Sequence, residues 1–429
     1  MTVIGAAEVE AAAVRGTLSV EPRAVVTPLA AERARELGVE IVRRKASPST
    51  GSGQTQPSAP ATDGGTARVP GRAPRSTPPR PGSLLDARPP VLPRPPSGAL
   101  FRRGAPLPTG LGGGGAASRT GRVVIIGAGH VGMITAMRLA DADRFGEVVL
   151  VDIDEGRAQG IALDLTHTAA LSGFATRVRG VASVEEAGPA DYVVLTAGRP
   201  RQPGMSRTDL LSVNAAIVGE VAERSARVSP QAVIVVVTNP LDEMTHHAWT
   251  CSGFPPERVI GMAGVLDTAR FQALAALTGV GRADEIRAMA LGSHGEEMVI
   301  PLSQASLAGR PLAAALDPGT VQGLVDRARG SGAEVVGLLK SGSAFMAPGI
   351  SAARMVLAMA GETGEVLPAS VLADGSYGIR DVYVGLPVRL GRSGVVEIVE
   401  VELSPDELTA LRGAADRIRE RVGDLAAAS

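Results

Sequence analysis

The sequence predicts an α/β fold with a doubly wound parallel sheet, followed by an α+β region. From residue 121 onward, apolar runs alternate with helical or loop segments. The apolar runs that are candidate parallel strands lie at 123–126, 148–151, 192–196 and 232–238. Strands buried on both faces of a sheet have continuous apolar runs, and their alternation with helices is typical of this architecture. After about residue 264 the pattern changes to helices and a hairpin-like stretch at 370–391, which predicts the α+β region.

Residues 1–45 are predicted to form a small ordered element ahead of that fold. Thr27 is a suitable N-cap, Pro28 suits the first helical position, and Gly38 provides a stop for the helix. The segment VEIVRR after Gly38 predicts a short strand.

Residues 46–120 differ in composition and are predicted to form a disordered linker. They carry 15 of the 31 prolines, many glycines and arginines, and the run GLGGGG near their end. Such a composition buries too little apolar surface to offset the entropy lost on ordering. Two stretches within it, SLLDARPPVLPRPP and SGALFRRG, are candidate docking motifs, with a plain linker as the alternative.

Charge and cysteine content exclude several classes of protein. The chain has 43 basic and 44 acidic residues, but residues 1–120 hold 16 basic and 8 acidic ones. The main body is therefore net negative, which argues against nucleic-acid binding. Cys251 is the single cysteine, which excludes an intramolecular disulfide and a cysteine-based zinc site and fits a reducing compartment. We see neither a secretory signal nor an uncharged apolar stretch of about 18 residues, so we expect a cytoplasmic protein without a membrane span.

The stretch RVVIIGAGHVG, residues 122–132, predicts a dinucleotide-binding turn. An apolar strand stops at Gly127, a helix is predicted at 131–140, and a second strand ends in Asp152, 20 residues beyond Gly132. In such a turn Gly127 would permit the tight bend, Gly129 would let the backbone approach a pyrophosphate, and Gly132 would let the helix pack on the strand. The carboxylate of Asp152 would bind the adenosine ribose. A glycine-rich turn that binds nothing is the alternative.

Two loops at the ends of predicted strands supply candidate substrate-binding residues. The loop TAGRPRQPGMSRTDLL, residues 196–211, carries Arg201 and Arg207 and predicts an arginine-bearing lid over an anionic substrate, with solvated loop charges as the alternative. Asn239, in VTNPLD, offers both a donor and an acceptor to a substrate oxygen. Its alternative role is to form a turn before Pro240.

His294, in LGSHGEEM, is the candidate for proton transfer, together with Asp267 and Arg270. The last two share one face of the helix GVLDTARF. A histidine held by a buried carboxylate is suited to proton exchange with a carbonyl oxygen near neutral pH. A surface ion pair and a structural histidine are the alternatives. The five histidines contain no HExxH-like pair, so we predict no metal site.

Seven motifs in order make residues 121 to about 423 resemble the lactate/malate dehydrogenases, and within them the malate dehydrogenases of lactate-dehydrogenase-like type. These motifs are GAGHVG, VDIDEGRAQGIALDL, TAGRPRQPGMSRTDLLSVNAAIV, VTNPLD, GVLDTARF, GSHGEEMV and GSAFMAPG. The resemblance implies a Rossmann NAD-binding domain at 121–264 and an α+β catalytic domain at 265–425. It also implies a homodimer or homotetramer.

The resemblance implies a role for each substrate-binding residue. His294 would be the acid/base, and Asp267 would orient its imidazole. Arg270 would hold the first carboxylate of the substrate as a bidentate fork. Arg207 would polarise the reacting carbonyl, and Asn239 would bind the same oxygen. Arg201 would pair a second carboxylate, as in oxaloacetate, whereas lactate-selective members usually have glutamine there.

The cofactor implied by the resemblance is NAD, because Asp152 would repel the 2′-phosphate of the phosphorylated form. The residues that would bind NAD are Gly127, Ala128, Gly129, His130, Val131, Gly132, Asp152, Asn214, Val237 and Asn239.

The sequence departs from the family pattern at two motifs. GSHGE, residues 292–296, stands where the family usually has Gly-Gly-His-Gly-Asp, and DLTH, residues 164–167, replaces Asp-Leu-Tyr-Glu. The first departure lies beside His294 and bears on rate and substrate range. Neither removes a catalytic side chain.

The N-terminal segment VTPLAAERARELGVEIV is similar to short segments on enzymes associated with bacterial microcompartments. This similarity implies that residues 1–120 present the enzyme to a microcompartment shell or partner enzyme. An accessory domain without such a role is the alternative.

Together these features predict an NAD-dependent malate dehydrogenase that acts on a small dicarboxylate. One alternative hypothesis is a lactate or lactaldehyde dehydrogenase serving a microcompartment. The other is an NAD-binding scaffold that acts through residues 1–120.

Overall fold

The computed structural model describes residues 3–4, 6–21, 25–26, 28–43, 121–199, 207–340 and 342–428. The chain divides into two compact units, Met1–Val91 and Leu92–Ser429. The predicted linker at 46–120 and Arg201 lie outside the described residues.

The described residues of the N-terminal unit form two successive β–α–β segments. Its elements are β1 (Val3–Ile4), α1 (Ala6–Ala12), β2 (Thr17–Val20), β3 (Val25–Val26), α2 (Pro28–Leu37) and β4 (Glu40–Arg43). Strand β1 pairs in parallel with β3, and β2 pairs in parallel with β4. Small apolar side chains such as Val9, Ala30 and Ala34 form its core. The one helix and one strand predicted here are confirmed as α2 and β4, with Gly38 at φ +65° between them, whereas the first β–α–β segment was not predicted.

The first half of the larger unit contains the predicted parallel strands. Its elements are β5 (Arg122–Ile126), α3 (His130–Ala142), β6 (Glu147–Val151), α4 (Glu155–His167), α5 (Ala169–Ser172), β7 (Arg177–Val181), α6 (Val184–Ala187), β8 (Tyr192–Leu195), α7 (Arg207–Val228), β9 (Val233–Val236), α8 (Leu241–Ser252), β10 (Val259–Gly261) and α9 (Gly264–Ala276). Strands β10, β9, β8, β5, β6 and β7 lie side by side in that order, all parallel. The chain reverses its direction of winding between β5 and β8, the position where ligands bind in open α/β sheets.

The second half adds antiparallel strands to the same sheet, and three further short strands form a separate sheet. Its elements are β11 (Ile286–Arg287), β12 (Leu291–Gly292), β13 (Met298–Val299), β14 (Ser306–Leu307), β15 (Arg310–Pro311), α10 (Pro318–Leu339), α11 (Met346–Gly361), β16 (Val366–Asp374), β17 (Arg380–Gly391), β18 (Gly394–Ile398) and α12 (Pro405–Ala428). The separate sheet consists of β11, β14 and β15. The predicted hairpin is β16 and β17, and β16 joins β10 at Gly261 and Ser370. Strand β13 covers only Met298 and Val299, and a helical turn begins soon after it, at Leu302.

Alternation along β5 distributes its side chains to two cores. Val123 and Ile125 pack into one apolar cluster, and Val124 and Ile126 pack into another. Successive side chains of a strand point to opposite faces, so β5 is covered on both sides. The turn that follows β5 is therefore held by a strand buried on both faces. Among the residues described, no helix combines the length and apolarity needed to cross a membrane.

Candidate active site

A cavity of about 710 Å³ lies at the carboxyl ends of β5, β8 and β9. The glycine-rich turn lines one part of it, and side chains from α9, α10 and the loop after β12 line another. We call these parts the cofactor end and the substrate end. The cavity lies where the strand order predicts a ligand crevice.

The cofactor end is formed by the turn between β5 and α3. Gly127 has φ +103°, a conformation that side-chain-bearing residues rarely adopt. A Cβ on Gly132 would lie 1.9 Å from the carbonyl oxygen of Gly127, so only glycine allows this approach of helix and turn. A Cβ on Gly129 would meet nothing within 4 Å, and Gly129 lines the cavity. The first residues of α3 also line the cavity, where backbone N–H groups favour an anion.

Asp152 anchors the turn from the end of β6. Its Oδ2 accepts a hydrogen bond from the backbone N–H of Ala128 at 2.8 Å, and its Oδ1 accepts one from the N–H of Asp154 at 3.0 Å. Arg157 donates from Nε to the Ala128 carbonyl oxygen at 3.0 Å and lines the cavity. It was not among the predicted site residues. Each carboxylate oxygen of Asp152 keeps acceptor capacity, which suits it to a ribose hydroxyl.

Asn214 connects the loops that follow β8 and β9. Its Oδ1 accepts from the N–H of Arg199 at 2.8 Å, and its Nδ2 donates to the carbonyl oxygen of Asn239 at 2.7 Å. Asn214, Val237 and Asn239 all line the cavity. The amide of Asn214 thus fixes two cavity walls against each other.

The substrate end brings His294, Asp267 and Arg270 together. The Nδ1 of His294 lies 2.7 Å from Oδ2 of Asp267, and Nη1 of Arg270 lies 3.0 Å from Oδ1. All three line the cavity, and Asp267 is 4% exposed. Because Nδ1 faces a carboxylate, it carries the proton, and Nε2 remains to exchange a proton with a substrate.

Opposing effects set the protonation of His294. Burial disfavours the charged imidazole, but the Asp267 carboxylate outweighs burial, so the pKa of His294 is raised above its ordinary value. Arg270 opposes this shift and the carboxylate of Asp242 supports it. The raised pKa keeps His294 protonated to higher pH than a free histidine.

Asp242, in the VTNPLD motif, supports His294 from a second direction. Its Oδ2 accepts from the backbone N–H of His294 at 3.0 Å, and its Oδ1 accepts from Oγ of Ser370 at 2.7 Å. Burial, and then the neighbouring carboxylate of Glu243, raise the pKa of Asp242 to about 6. Asp242 was not among the predicted site residues, although it lies three residues after Asn239 in the same motif.

For two of the predicted substrate-binding residues, the structure gives no side-chain position. Arg201 lies outside the described residues, and Arg207 begins α7 but its side chain is not described. The catalytic and binding roles of the site residues stay predictions. The described part of the chain contains no cluster of three or more His, Cys, Asp or Glu side chains that could hold a metal.

Comparison with known proteins covers both halves of the larger unit. Residues 121–261 match the family model described as the NAD-binding domain of lactate/malate dehydrogenase, and residues 264–428 match the α/β C-terminal domain. The malate dehydrogenase of Chloroherpeton thalassium is 44% identical over 299 residues, which are 70% of this chain and 96% of that protein. That of Thermomicrobium roseum is 48% identical over 302 residues, which are 70% and 97%.

A solved structure agrees with these relatives. The malate dehydrogenase from Salinibacter ruber superposes with a TM-score of 0.68 at 39% identity, covering 71% of this chain and 97% of that one. The similarity therefore extends over sequence and fold alike.

Proposed function

The chain belongs to the lactate/malate dehydrogenase family and is an NAD-dependent 2-hydroxy acid oxidoreductase, and we propose that it interconverts malate and oxaloacetate. The observation that carries this proposal is the contact of His294 and Arg270 with the same buried carboxylate, Asp267, beside the glycine-rich turn. The names of the relatives support the choice of malate over lactate.

The cofactor end fits a dinucleotide. A Cβ on Gly129 would meet no protein atom within 4 Å, and the backbone N–H groups at the N-terminus of α3 would face the pyrophosphate. Asp152 would hold the adenosine ribose and disfavour a 2′-phosphate. Asn214 and the backbone at Val237 would line the nicotinamide side. When bound, NADH supplies the hydride that reduces the keto carbon.

His294 would donate a proton from Nε2 to the keto oxygen during reduction and accept it back during oxidation. Asp267 holds Nδ1 at 2.7 Å, which fixes the ring and stabilises its charged form. The raised pKa of His294 keeps the proton available for oxaloacetate reduction around neutral pH. Asn239 would donate from its side-chain amide to the same oxygen.

The substrate carboxylates would be held by arginines. Arg270 points into the cavity while one of its nitrogens contacts Asp267, so its remaining donors suit a bidentate carboxylate. Arg201 would pair the second carboxylate, and Arg207 would polarise the keto group as the loop closes. Charge pairing of this kind would favour oxaloacetate over pyruvate, because pyruvate lacks the second carboxylate.

A substrate panel tests this function and its closest alternative. Purified full-length protein is assayed with NADH against oxaloacetate, pyruvate and lactaldehyde. We expect the highest kcat/KM with oxaloacetate. A preference for pyruvate or lactaldehyde would instead support the lactate or lactaldehyde enzyme, and no turnover with any of them would favour an NAD-binding scaffold.

The N-terminal unit would serve as an adaptor that docks the enzyme to a microcompartment shell or partner enzyme. Its compact β–α–β segments are followed by a long Pro- and Gly-rich segment, the arrangement of a small domain on a tether. The chain without residues 1–120 should keep its kcat/KM but fail to associate with purified shell protein. Retained association would contradict the adaptor role.

We also expect the catalytic unit to form a homodimer or homotetramer. Exposed apolar side chains around α4 support this expectation, since Ile153, Leu163 and Leu171 are all more than half exposed. Light scattering of the chain without residues 1–120 measures its mass directly. A monomer at micromolar concentration would contradict the expectation.

A further inference from the structure

A partly buried arginine on the C-terminal helix contacts the loop that carries His294. Arg421 of α12 donates from Nη2 to Oγ of Ser293 at 3.0 Å and from Nε to Oε1 of Glu243 at 2.5 Å. Its Nη1 lies 3.3 Å from Oε1 of Glu297. One guanidinium therefore joins α12, α8 and both sides of His294. Arg421 also lies 128 residues from Ser293 in the chain, so this contact depends on the tertiary fold.

Ser293 gives Arg421 a side-chain partner in the loop that carries His294. Ser293 stands where the family usually has glycine, and its hydroxyl is one of the partners of Arg421. Ser293 is 4% exposed, so its hydroxyl needs a partner inside the protein. The serine provides a contact to Arg421 that glycine could not.

Arg421 also neutralises a buried acid next to the support of His294. Glu243 is 3% exposed and directly follows Asp242, whose carboxylate holds the backbone N–H of His294. The Glu243 carboxylate helps to raise the pKa of Asp242, and burial is the larger cause. Without a cation, Glu243 would be an unpaired buried charge, which is strongly destabilising.

We propose that Arg421 is a positioning residue for His294, which it holds by fixing Ser293 and Glu297 on either side and by neutralising Glu243. The inference rests on the proposed role of His294. Small displacements of a proton donor reduce rate steeply, because proton transfer needs a short, aligned contact. Arg421 would thus act on kcat without touching substrate or cofactor.

The charge of Arg421 should also influence the pH profile. The groups facing His294 are Asp267 and Arg270 from α9 and Asp242 from α8. Removing the Arg421 cation leaves the acids around the loop in excess, which favours protonated His294. Malate oxidation needs neutral His294, so its acid limb should move to higher pH.

The test compares substitutions at two arginines of the same helix in the full-length chain. Arg421→Met should lower kcat about tenfold, leave the KM for NAD unchanged and move the acid limb of malate oxidation to higher pH. Arg417→Met is the matched control, because Arg417 lies one turn earlier and contacts Glu297 at 3.2 Å without reaching Ser293. The control should keep kcat within about twofold. Equal losses from both variants would overturn the proposal.

Arg421→Lys separates charge from geometry. A lysine retains the cation but cannot reproduce the guanidinium fork, so the pH limb should return to that of the wild type while kcat stays low. If kcat and the pH limb both returned to the wild-type values, Arg421 would contribute only its charge, and the positioning role would be overturned.

Ser293→Ala tests the positioning role of Arg421 if the Arg421→Met variant does not fold. It removes one contact of Arg421 and should lower kcat about threefold with an unchanged melting temperature. An unchanged kcat in Ser293→Ala would overturn the proposal. Failure of the proposed function itself is distinguishable, since the wild type would then prefer pyruvate or lactaldehyde to oxaloacetate or turn over none of them, whatever the Arg421 and Ser293 variants do.

Discussion

The two ends of the cavity are built by different physical means. The cofactor end depends on backbone: Gly127 has a positive φ, and a Cβ on Gly132 would overlap the Gly127 carbonyl oxygen. The substrate end depends on charge, since His294 and Arg270 both contact the carboxylate of Asp267. One end therefore requires the absence of side chains, whereas the other requires particular side chains.

The ends also differ in how the chain assembles them. The glycine-rich turn is contiguous and follows one strand, while Asp267 and His294 are 27 residues apart and Asp242 and His294 are 52 apart. The substrate end thus depends on the mutual packing of α8, α9 and the His294 loop. Substitutions at one end should leave the function of the other intact, and this separation can be tested.

The largest expected effect is loss of turnover in His294→Asn. Removing the proton donor should lower kcat about a thousandfold, because general acid–base catalysis contributes on that scale. NADH affinity, measured by fluorescence, should stay within about twofold of wild type because His294 belongs to the other end. A variant that retains most of its turnover would refute the mechanism, and a parallel loss of NADH binding would break the separation of the two ends.

Arg270→Gln should have the next largest effect. Truncating one partner of a buried charge pair should lower kcat/KM for oxaloacetate about a hundredfold, with NADH affinity unchanged. Arg282→Gln is the matched control, since Arg282 forms an exposed pair with Asp284 and should leave kcat/KM unaltered. Similar kinetics in the two variants would exclude Arg270 from substrate binding.

Asp267→Asn tests the electrostatics of the substrate end. Wild-type His294 has a raised pKa because Asp267 outweighs burial, so the variant should titrate at lower pH. Reduction requires protonated His294, and the fall of kcat/KM for oxaloacetate with rising pH should therefore begin at lower pH. We also expect kcat at neutral pH to fall about tenfold. A pH profile identical to that of the wild type would contradict the assignment.

Gly129→Ala should act at the cofactor end and affect cofactor binding alone. The added Cβ meets no protein atom within 4 Å, so the melting temperature should be unchanged while NADH affinity falls about tenfold. Gly132→Ala is the comparison, because its Cβ would lie 1.9 Å from the Gly127 carbonyl oxygen and should lower the melting temperature. Unchanged NADH affinity in Gly129→Ala would argue that this turn does not face the cofactor.

Sequence patterns predicted the strands that form a distinct apolar run in the sequence. The apolar runs predicted β5, β6, β8 and β9, but β7 and β10 were missed. Arginines at 177 and 179 interrupt the apolar pattern of β7, and β10 has three residues, so neither forms a distinct run. The positions of these strands follow from pairing with their neighbours, which a single sequence does not display.

The residues of the candidate site that belong to a sequence motif could be predicted. Asp267, Arg270 and His294 lie in recognisable motifs, and the structure brings them into contact. Arg421 could not be predicted from the sequence, because α12 carries several arginines and nothing in their spacing sets Arg421 apart. Its role depends on a contact with Glu243, 178 residues away in the chain.

The selection of a dicarboxylate by this enzyme can be measured with one pair of kinetic constants. The measurement is the ratio of kcat/KM for oxaloacetate to that for pyruvate, with NADH, in the wild type and in Arg201→Gln. We predict that the wild type favours oxaloacetate by about a hundredfold or more and that the variant shifts toward pyruvate. A wild type that prefers pyruvate would contradict selection of a dicarboxylate. A variant that loses both activities equally would contradict the role of Arg201 in that selection.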